Sequence, residues 1–234
     1  MKRVILKISG EALAGANGTG INAAYVKKIA SEIEALYKKV DEIGIIVGAG
    51  NIWRGRDAAE NDMNRASADY MGMLGTILNS LALQNALESL GIPTRVMSSL
   101  SIPSVCEPYL RRKALSHLQK KMIVIFGGGT GNPFFSTDTA AALRAAEMEA
   151  DCILMAKNGV DGVYNDDPRK NPDAKRYSTL TYDEMLSKHL MVMDLTSATL
   201  CRENKIKIIV FDMNVEGNIA RIVDNPEIGT IITE

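Results

Sequence analysis

The sequence predicts an α/β protein, a three-layer αβα sandwich with a mostly parallel central sheet. Short apolar segments rich in β-branched residues alternate with longer segments whose apolar residues recur at three- and four-residue steps. This alternation is typical of a parallel sheet covered by helices on both faces. Because no linker, composition change or internal repeat divides the 234 residues, we expect one domain over residues 1–234.

The first half of the chain is predicted to contain four strands and three helices. The strands are expected at residues 4–9, 43–47, 94–97 and 122–126. The first helix carries apolar residues from Val26 to Val40, and Asn22 is a suitable N-cap. A long second helix covers about 66–90 and is ended by Gly91 and Pro93, and a third covers 109–121.

The second half continues the alternation. An alanine-rich helix is expected at 137–149, followed by a strand at 152–156 and a loop at 157–177. Thr181 and Glu184 match a capping box, which predicts the start of a helix. Further helices are expected near 196–204 and 217–223, with strands at 206–211 and 229–233.

The composition excludes several classes of protein. With 27 Lys and Arg against 28 Asp and Glu, the chain lacks the basic excess that broad binding to nucleic acid or an anionic membrane requires. Its three cysteines, at 106, 152 and 201, are isolated, so neither a zinc site of standard spacing nor a disulfide framework is expected. No charge-free apolar run reaches 18 residues. We therefore expect a cytoplasmic protein with no membrane span and no metal site built from its own ligands.

Glycine-rich loops follow three of the predicted strands, at Gly10, 48–50 and 127–131. In a parallel sheet the carboxyl ends of the strands meet at one edge, where ligands bind. Glycines there let backbone N–H groups approach an anion such as phosphate, although any one loop could be a tight turn without a ligand. Neither GxxxxGK[ST] nor GxGxxG occurs, which excludes a P-loop enzyme and removes most of the support for an NAD oxidoreductase.

Three charged side chains stand close to these loops. Lys7 lies two residues before Ser9-Gly10 and would place a fixed cation beside a transferring phosphoryl group, or it is solvated at a strand edge. Arg54 follows the second loop, where its fork suits either a phosphate or the solvent. Asp69 stands near the start of the long helix, where a carboxylate also favours the helix dipole.

The loop at 131–138 combines proline, two phenylalanines and several hydroxyl and amide groups. Aromatic rings beside polar donors suit the recognition of a planar base, whereas Phe134 or Phe135 could instead belong to the core. Asp138 is placed to cap a helix, to hold Lys7 or to bind Mg²⁺. The long helix also carries an apolar stripe that fits either the core or a subunit interface; it comprises Met71, Met73, Leu74, Ile77, Leu78 and Leu81.

Taken together and in order, these motifs resemble the uridylate kinase branch of the amino acid kinase family. The resemblance covers essentially the whole chain and is carried by residues 7–13, 48–55, 69–74, 129–138, 160–164, 192–194 and 229–234. It implies the reaction ATP + UMP → ADP + UDP with Mg²⁺, in pyrimidine nucleotide synthesis. It also implies a parallel-rich α/β fold unrelated to that of P-loop kinases.

The resemblance assigns roles to individual residues. Lys7 and Asp138 are the implied catalytic residues, with Asp138 orienting Lys7 or the metal. The implied ATP contacts are Lys7, Ile8, Ser9, Gly10, Gly50, Arg54, Asn158, Tyr164 and Asp167. The implied UMP contacts are Ala49, Asp69, Thr130, Gly131, Asn132, Pro133, Phe134, Phe135, Ser136 and Thr137. The N-terminal half would therefore mainly bind UMP and the C-terminal half mainly ATP.

The resemblance also implies assembly and regulation. Members of this branch form homohexamers that GTP activates and UTP inhibits. The segment to which the GTP response is assigned by resemblance comprises Gly15, Ala16, Asn17, Gly18, Thr19 and Gly20. The implied partners are thus UMP, ATP, the two effectors and further copies of the chain.

The sequence departs from the branch at three places. The usual Gly-Gly-Gly-Asn reads Gly48-Ala49-Gly50-Asn51, and Trp53 stands where phenylalanine is usual. A methyl group at Ala49 is tolerable only if its φ is negative. The loop around 157–159 is one residue longer than in some members. Two other functions stay open: a kinase of the same fold that acts on a carboxylate or carbamate, and a nucleotide sensor without catalysis.

Overall fold

The computed structural model describes residues 1–53, 63–190 and 192–234. Within these ranges, nine strands form one sheet and two more form a small antiparallel ribbon. In chain order, the strands of the large sheet are β1 (Arg3–Ile8), β2 (Glu42–Val47), β3 (Thr94–Ser98), β4 (Glu107–Pro108), β5 (Ile123–Gly127), β6 (Cys152–Lys157), β9 (Thr179–Thr181), β10 (Lys207–Asp212) and β11 (Thr230–Thr233). The ribbon pairs β7 (Val163–Tyr164) with β8 (Arg176–Tyr177).

The sheet has the spatial order β4-β3-β5-β2-β1-β6-β10-β11-β9. All pairings from β4 to β10 are parallel, so the carboxyl ends of these strands share one edge. β11 runs antiparallel to β10, and β9 runs parallel to β11. The strands β1, β2 and β6 lie at the centre, which places the first two glycine loops side by side.

Helices cover both faces of the sheet, as the sequence predicts. One face carries α1 (Ala23–Tyr37), α2 (Arg65–Ser89) and α7 (Asn218–Asp224). The other carries α3 (Arg111–Gln119), α4 (Thr137–Met148), α5 (Tyr182–Ser187) and α6 (Leu195–Glu203). The predicted three-layer α/β fold is confirmed. None of the helices in the described ranges has the length and apolar character that crossing a membrane requires.

The central strands are apolar on both sides because each side faces a helix layer. In β1, Val4 and Leu6 belong to the core under α1, whereas Ile5 belongs to the core under α4. This is the period-two alternation of a strand buried on both faces. Gly44 in β2 makes room on the second face, because a Cβ there would lie 2.5 Å from Ile5 Cδ1 and 2.8 Å from Phe126 Cε2.

The local signals in the sequence predict helix starts better than short strands. Asn22 caps α1 by accepting hydrogen bonds from two backbone N–H groups, and the capping box of Thr181 and Glu184 is present. The sequence predicts a loop at 157–177, whereas the structure has the β7–β8 ribbon within this segment. The apolar stripe of α2 is divided: Met73 is buried in the described structure, whereas Leu78 is half exposed.

Candidate active site

The loops after β1 and β2 and the start of α4 meet at the carboxyl edge of the sheet. A Cβ at Gly10 would lie 2.4 Å from the carbonyl oxygen of Gly48, so only glycine fits there. A Cβ at Gly48 would lie 3.6 Å from Thr137 Oγ1, at the first residue of α4. The prediction that the glycine loops share one edge is confirmed.

A cluster of two lysines and one aspartate lies at this edge, in side chains from β1, α4 and β6. Lys7 Nζ is 2.7 Å from Asp138 Oδ1, and Lys7 is only 9% exposed. Lys157 Nζ donates a hydrogen bond of 2.6 Å to the carbonyl oxygen of Val192. Lys7 is therefore not a solvated lysine at a strand edge, and its ammonium group is fixed in position.

Charge and burial set the protonation of this cluster. Burial by itself raises the pKa of Asp138, but the positive charges of Lys7 and Lys157 outweigh it and hold the pKa below its ordinary value. Asp138 is thus ionised at neutral pH. Burial lowers the pKa of Lys157, and the charge of Lys7 adds to this, while the negative charge of Asp138 opposes it. With Asp138 ionised, two lysines face one negative charge.

The start of α4 is fixed by a network around Asp194. Ser136 is the N-cap of α4, and its oxygen accepts hydrogen bonds from the backbone N–H groups of Asp138 and Thr139. The Ser136 hydroxyl in turn donates to Asp194, which also accepts from Thr139 Oγ1 at 3.1 Å. Asp194 itself caps α6 through the Ser197 N–H. The helix that carries Asp138 is therefore tied through one carboxylate to α6, its neighbour in the same helix layer.

A cavity of about 210 Å³ opens beside the cluster, between α2 and the loop after β5. We call it the α2 cavity. It is lined by Ala49, Trp53, Ala68, Asp69, Gly72, Met73, Thr76, Gly129, Thr130, Asn132, Phe135, Ser136 and Thr137. Seven of the ten predicted UMP contacts are among these residues.

Asp69 joins the two walls of the α2 cavity. Its Oδ2 accepts a hydrogen bond of 2.7 Å from the backbone N–H of Phe134. Phe134 has φ of 73°, in the left-handed region that non-glycine residues rarely adopt. The hydrogen bond from the helix helps to hold this strained residue in place. The ring of Phe134 is 62% exposed and does not belong to the core.

Buried polar residues on α2, which the sequence analysis did not identify, tie the glycine loops together. Asn79 and Asn51 exchange two side-chain hydrogen bonds of 3.0 and 2.8 Å, and Asn79 also donates to Gly48 O. Thr76 Oγ1 accepts from the backbone N–H of Gly128 at 2.9 Å. Both residues point toward the sheet edge from one helix face, spaced i and i+3. In the sequence, the spacing of these two polar residues within an apolar helix is the feature that could have identified them.

A second cavity, of about 620 Å³, lies at the carboxyl end of β6. We call it the β6 cavity. It is lined by Lys157, Val160, Gly162, Val163, Tyr164, Asn165, Asp166, Asp167, Pro168, Arg169, Lys188, His189, Leu190, Val192 and Val210. Lys157 therefore belongs both to this cavity and to the charge cluster. Sequence analysis missed its role, because the register that brings β6 beside β1 cannot be deduced from either strand alone.

The predicted site residues do not all lie where the resemblance suggests. Tyr164 and Asp167 line the β6 cavity, but the side chain of Asn158 accepts a hydrogen bond of 2.6 Å from Asn214 and does not line it. The side chain of Ile8 is buried in the core, so only its backbone is available to a ligand. Gly131, Pro133 and Phe134 belong to the loop but do not line the α2 cavity. Arg54 lies outside the described residues.

Ala49 stands where glycine is usual in the family branch, and α2 leaves room for its methyl group. Ala49 is absent from the described non-glycine residues with positive φ, so its methyl group is tolerated. A Cβ at Gly75 would lie 2.9 Å from the Ala49 Cβ, closer than real Cβ contacts come. Gly75 therefore provides the room that the Ala49 methyl group occupies.

The arrangement could also accept a metal ion that arrives with a ligand. Within residues 1–53, 63–190 and 192–234, no three His, Cys, Asp or Glu side chains form a group able to hold a metal. Mg²⁺ bound to nucleotide phosphates needs only one or two protein carboxylates. Asp138, the carboxylate of the cluster, fits this requirement.

A parallel sheet whose carboxyl edge gathers glycine loops, two lysines and an ionised aspartate defines a phosphoryl-transfer enzyme that works without a P-loop. The chain belongs to the amino acid kinase family, which matches residues 2–212. The expected family resemblance is thereby confirmed.

Within this family, the chain is similar to proteins named uridylate kinase or UMP kinase. A uridylate kinase of Limosilactobacillus reuteri is 55% identical over 231 residues, which span 99% of this chain and 96% of the relative. The crystal structure of a UMP kinase from Bacillus anthracis matches with a TM-score of 0.96 at 42% identity, covering 99% of this chain and 96% of that one. A UMP kinase from Ureaplasma parvum matches with the same TM-score at 40% identity, covering 100% and 99%.

Proposed function

We propose that this protein is a UMP kinase, which transfers the γ-phosphoryl group of ATP to UMP and yields ADP and UDP for pyrimidine nucleotide synthesis. The observation that carries the proposal is the cluster of Lys7, Asp138 and Lys157 at the junction of two cavities. Lys157 lines the β6 cavity, and Thr137, which precedes Asp138, lines the α2 cavity. Two nucleotides bound in these cavities would bring their phosphates together at the lysines.

In this proposal UMP occupies the α2 cavity and ATP the β6 cavity. The UMP contacts are those that line the α2 cavity or belong to its loop, with Asp69 at the ribose and Thr130 and Asn132 near the base. Tyr164 and Asp167 would contact the adenine nucleotide, and Lys7 with the loops at Ser9, Gly10 and Gly50 would contact its phosphates. The N-terminal half then mainly binds UMP and the C-terminal half mainly ATP.

Phosphoryl transfer requires the protein mainly to position the two nucleotides and to stabilise the developing charge. A phosphate oxygen of UMP is already ionised near pH 7, so no general base is required. The two lysines stabilise the charge that develops on the transferring group, and Asp138 holds Lys7 in place. Mg²⁺, brought with ATP, would neutralise part of the charge on the phosphates. Asp138 would be its protein ligand if one is used.

Initial-rate kinetics with UMP, CMP and dUMP as acceptors test this function. A site that hydrogen-bonds one base edge rejects a mispaired edge strongly, so we expect UMP to be turned over and CMP to be poor. Comparable rates on CMP would contradict the uridylate assignment. Turnover of carbamate, glutamate or aspartate instead of UMP would favour another kinase of this fold, and UMP binding without turnover would favour a sensor.

We also propose that GTP activates and UTP inhibits this enzyme, with the GTP response at residues 15–20. One observation supports a connection from this segment to the site: Gly20 N donates to Asn51 O, and Asn51 Nδ2 donates to Gly20 O, both at 2.7 Å. Rates with and without each effector test the proposal. Gly20→Ala, which strains a backbone with φ of 73°, should lower the activation factor of GTP.

The exposed side of α2 supports assembly into a homo-oligomer, which the resemblance implies is a hexamer. Tyr70, Met71, Leu74 and Leu78 are each 39% to 51% exposed on this helix, and a patch of large apolar side chains usually marks an interface. Sedimentation should give a mass near six copies. Leu74→Glu with Leu78→Glu should produce smaller species, and an unchanged hexamer would place the interface elsewhere. We expect the oligomer in the cytoplasm, where the three unpaired cysteines remain reduced.

A further inference from the structure

We infer that Trp53 is a UMP-binding residue of this enzyme, and that its indole N–H donates a hydrogen bond to an oxygen of the bound nucleotide. The inference deepens the proposed function and rests on the assignment of UMP to the α2 cavity. Trp53 is the only tryptophan in the chain.

The first argument is the position of Trp53 in the cavity wall. It is the last described residue of the loop after β2, and its side chain lines the α2 cavity together with Asp69 and Gly72. A Cβ at Gly72 would lie 3.8 Å from Trp53 Cδ1, the ring atom bonded to Nε1. Asp69 and Gly72 are one helical turn apart on α2. The polar edge of the indole thus lies beside the helix face that carries the predicted ribose contact.

The second argument is the state of the indole nitrogen. Trp53 Nε1 is fully buried, and within the described residues no acceptor lies at hydrogen-bonding distance from it. An indole N–H can only donate, and a buried donor without a partner destabilises the fold. UMP carries acceptor oxygens on its base, ribose and phosphate. A nucleotide in the α2 cavity would supply the missing acceptor.

The third argument is that the loop holds Trp53 firmly. The backbone N–H groups of Ile52 and Trp53 both donate to Ala49 O, at 2.8 and 2.9 Å. Asn51, two residues before Trp53, is fixed by its two hydrogen bonds with Asn79. The backbone is therefore preorganised up to Trp53, and a rotation of the indole is what brings its buried N–H group to an acceptor in the cavity.

The test compares the wild-type enzyme with two substitutions at one position and a control elsewhere. Trp53→Phe keeps an aromatic ring and removes the N–H group. Trp53→benzothienylalanine keeps the bicyclic shape and replaces N–H by sulfur. Tyr37→Phe is the control. Tyr37 is the last residue of α1, and its hydroxyl donates to Lys121 O, away from both cavities.

Calorimetric titration with UMP and, separately, with ATP supplies the main measurement. Both changes at Trp53 should raise the Kd for UMP by about tenfold, the effect of losing one hydrogen bond, and should leave the Kd for ATP within twofold. Tyr37→Phe should leave both constants unchanged. Unchanged ATP binding also shows that each variant is folded.

Tryptophan emission gives an independent reading, because Trp53 is the only indole present. UMP should shift the emission of the wild-type enzyme, since it changes the hydrogen bonding of the indole, and ATP alone should not. If wild type converts UMP to UDP while both Trp53 variants bind UMP as tightly as wild type, the inference is wrong and the kinase function stands. If the wild-type enzyme binds no UMP, both the inference on Trp53 and the proposed UMP kinase function are wrong.

Discussion

The two cavities of this protein differ in how their walls are held. The α2 cavity is about 210 Å³, and hydrogen bonds from α2 cross to the loops on either side of it, through Asp69, Thr76 and Asn79. The β6 cavity is about 620 Å³, and its outer wall is the segment 161–177. That wall is held by bonds within the segment, such as Lys175 N to Asn165 Oδ1 at 2.7 Å, and by bonds to the chain at 227–230, such as Val163 N to Thr230 Oγ1 at 2.9 Å. One cavity is small and braced by a helix; the other is larger, and its outer wall is a loop anchored to the chain at 227–230.

This difference indicates that the two cavities have different roles: the α2 cavity discriminates between ligands, and the β6 cavity binds its ligand mainly through charge. A small cavity with fixed donors and acceptors discriminates strongly between ligands, because a mismatched group leaves a buried polar atom without a partner. A larger cavity discriminates less by shape and relies on charge, which Lys157 supplies in the β6 cavity. We therefore expect the acceptor nucleotide to be chosen more strictly than the donor.

The largest effect is expected where the two cavities meet. Lys7→Ala should lower kcat by roughly 10²-fold or more, the scale for removing one preorganised electrostatic group. Because the proposed role of Lys7 is to stabilise the transferring group, the loss should be similar for every acceptor. Steady-state kinetics measure this, with Lys38→Ala, which breaks an exposed ion pair with Glu34, as the control. Near-wild-type turnover would remove Lys7 from the mechanism.

A pair of substitutions, one in each cavity, separates the two binding sites. Asp69→Asn should raise the KM for UMP about tenfold or more, because a hydrogen bond to a charged acceptor is lost, and should leave the KM for ATP nearly unchanged. Asp167→Asn, in the β6 cavity, should do the reverse. Equal loss of both affinities in Asp69→Asn would indicate that its bond to Phe134 N mainly shapes the loop.

The charge of Lys157 should be visible in the pH dependence of the donor side. Burial lowers the pKa of Lys157 below that of an ordinary lysine, so the free enzyme loses this charge earlier as the pH rises. The kcat/KM for ATP, which reports the free enzyme, should therefore fall on the alkaline side below pH 10.5, the ordinary value. Lys157→Arg should move this fall to higher pH, because an arginine keeps its charge. A profile that Lys157→Arg leaves in place would assign the fall to another group.

The smallest effect concerns the fit between the β2 loop and α2. Gly75→Ala would place a methyl group against that of Ala49 and should lower the free energy of unfolding by about 1–3 kcal/mol, the usual range for overpacking. The double variant with Ala49→Gly should recover most of this loss. Urea unfolding of the four proteins gives the coupling energy. Strictly additive effects would show that the two positions do not share the space.

The sequence predicts the acceptor side of the site more completely than the donor side. Asp69, Thr130, Asn132 and Thr137 line the α2 cavity, because their segments carry distinctive short motifs. Lys157 was missed because its position depends on the pairing of β1 with β6, a contact between residues about 150 apart in sequence. No local pattern contains that pairing, whereas helix caps such as Asn22 are determined within a few residues.

The ribbon β7–β8 shows the same limit in the fold itself. Its strands have two residues each, too few for a periodic pattern to appear. Turn-forming residues between them predict a loop correctly but do not show that the ends of the loop pair. The division of the α2 stripe into buried and exposed members also needed the angular position of the helix on the sheet, which only packing fixes.

The cluster of Lys7, Lys157 and Asp138 has a thermodynamic consequence for the whole molecule. Two cations share one anion in a place largely removed from water, so without nucleotides the folded chain confines an excess positive charge that the unfolded chain would leave hydrated. Under the proposed function, polyanionic nucleotides that bind only the folded chain would neutralise this charge and shift the folding equilibrium. Part of the driving force for a complete fold would therefore be supplied by the ligands, and we expect the resistance of the enzyme to heat to depend on nucleotide concentration.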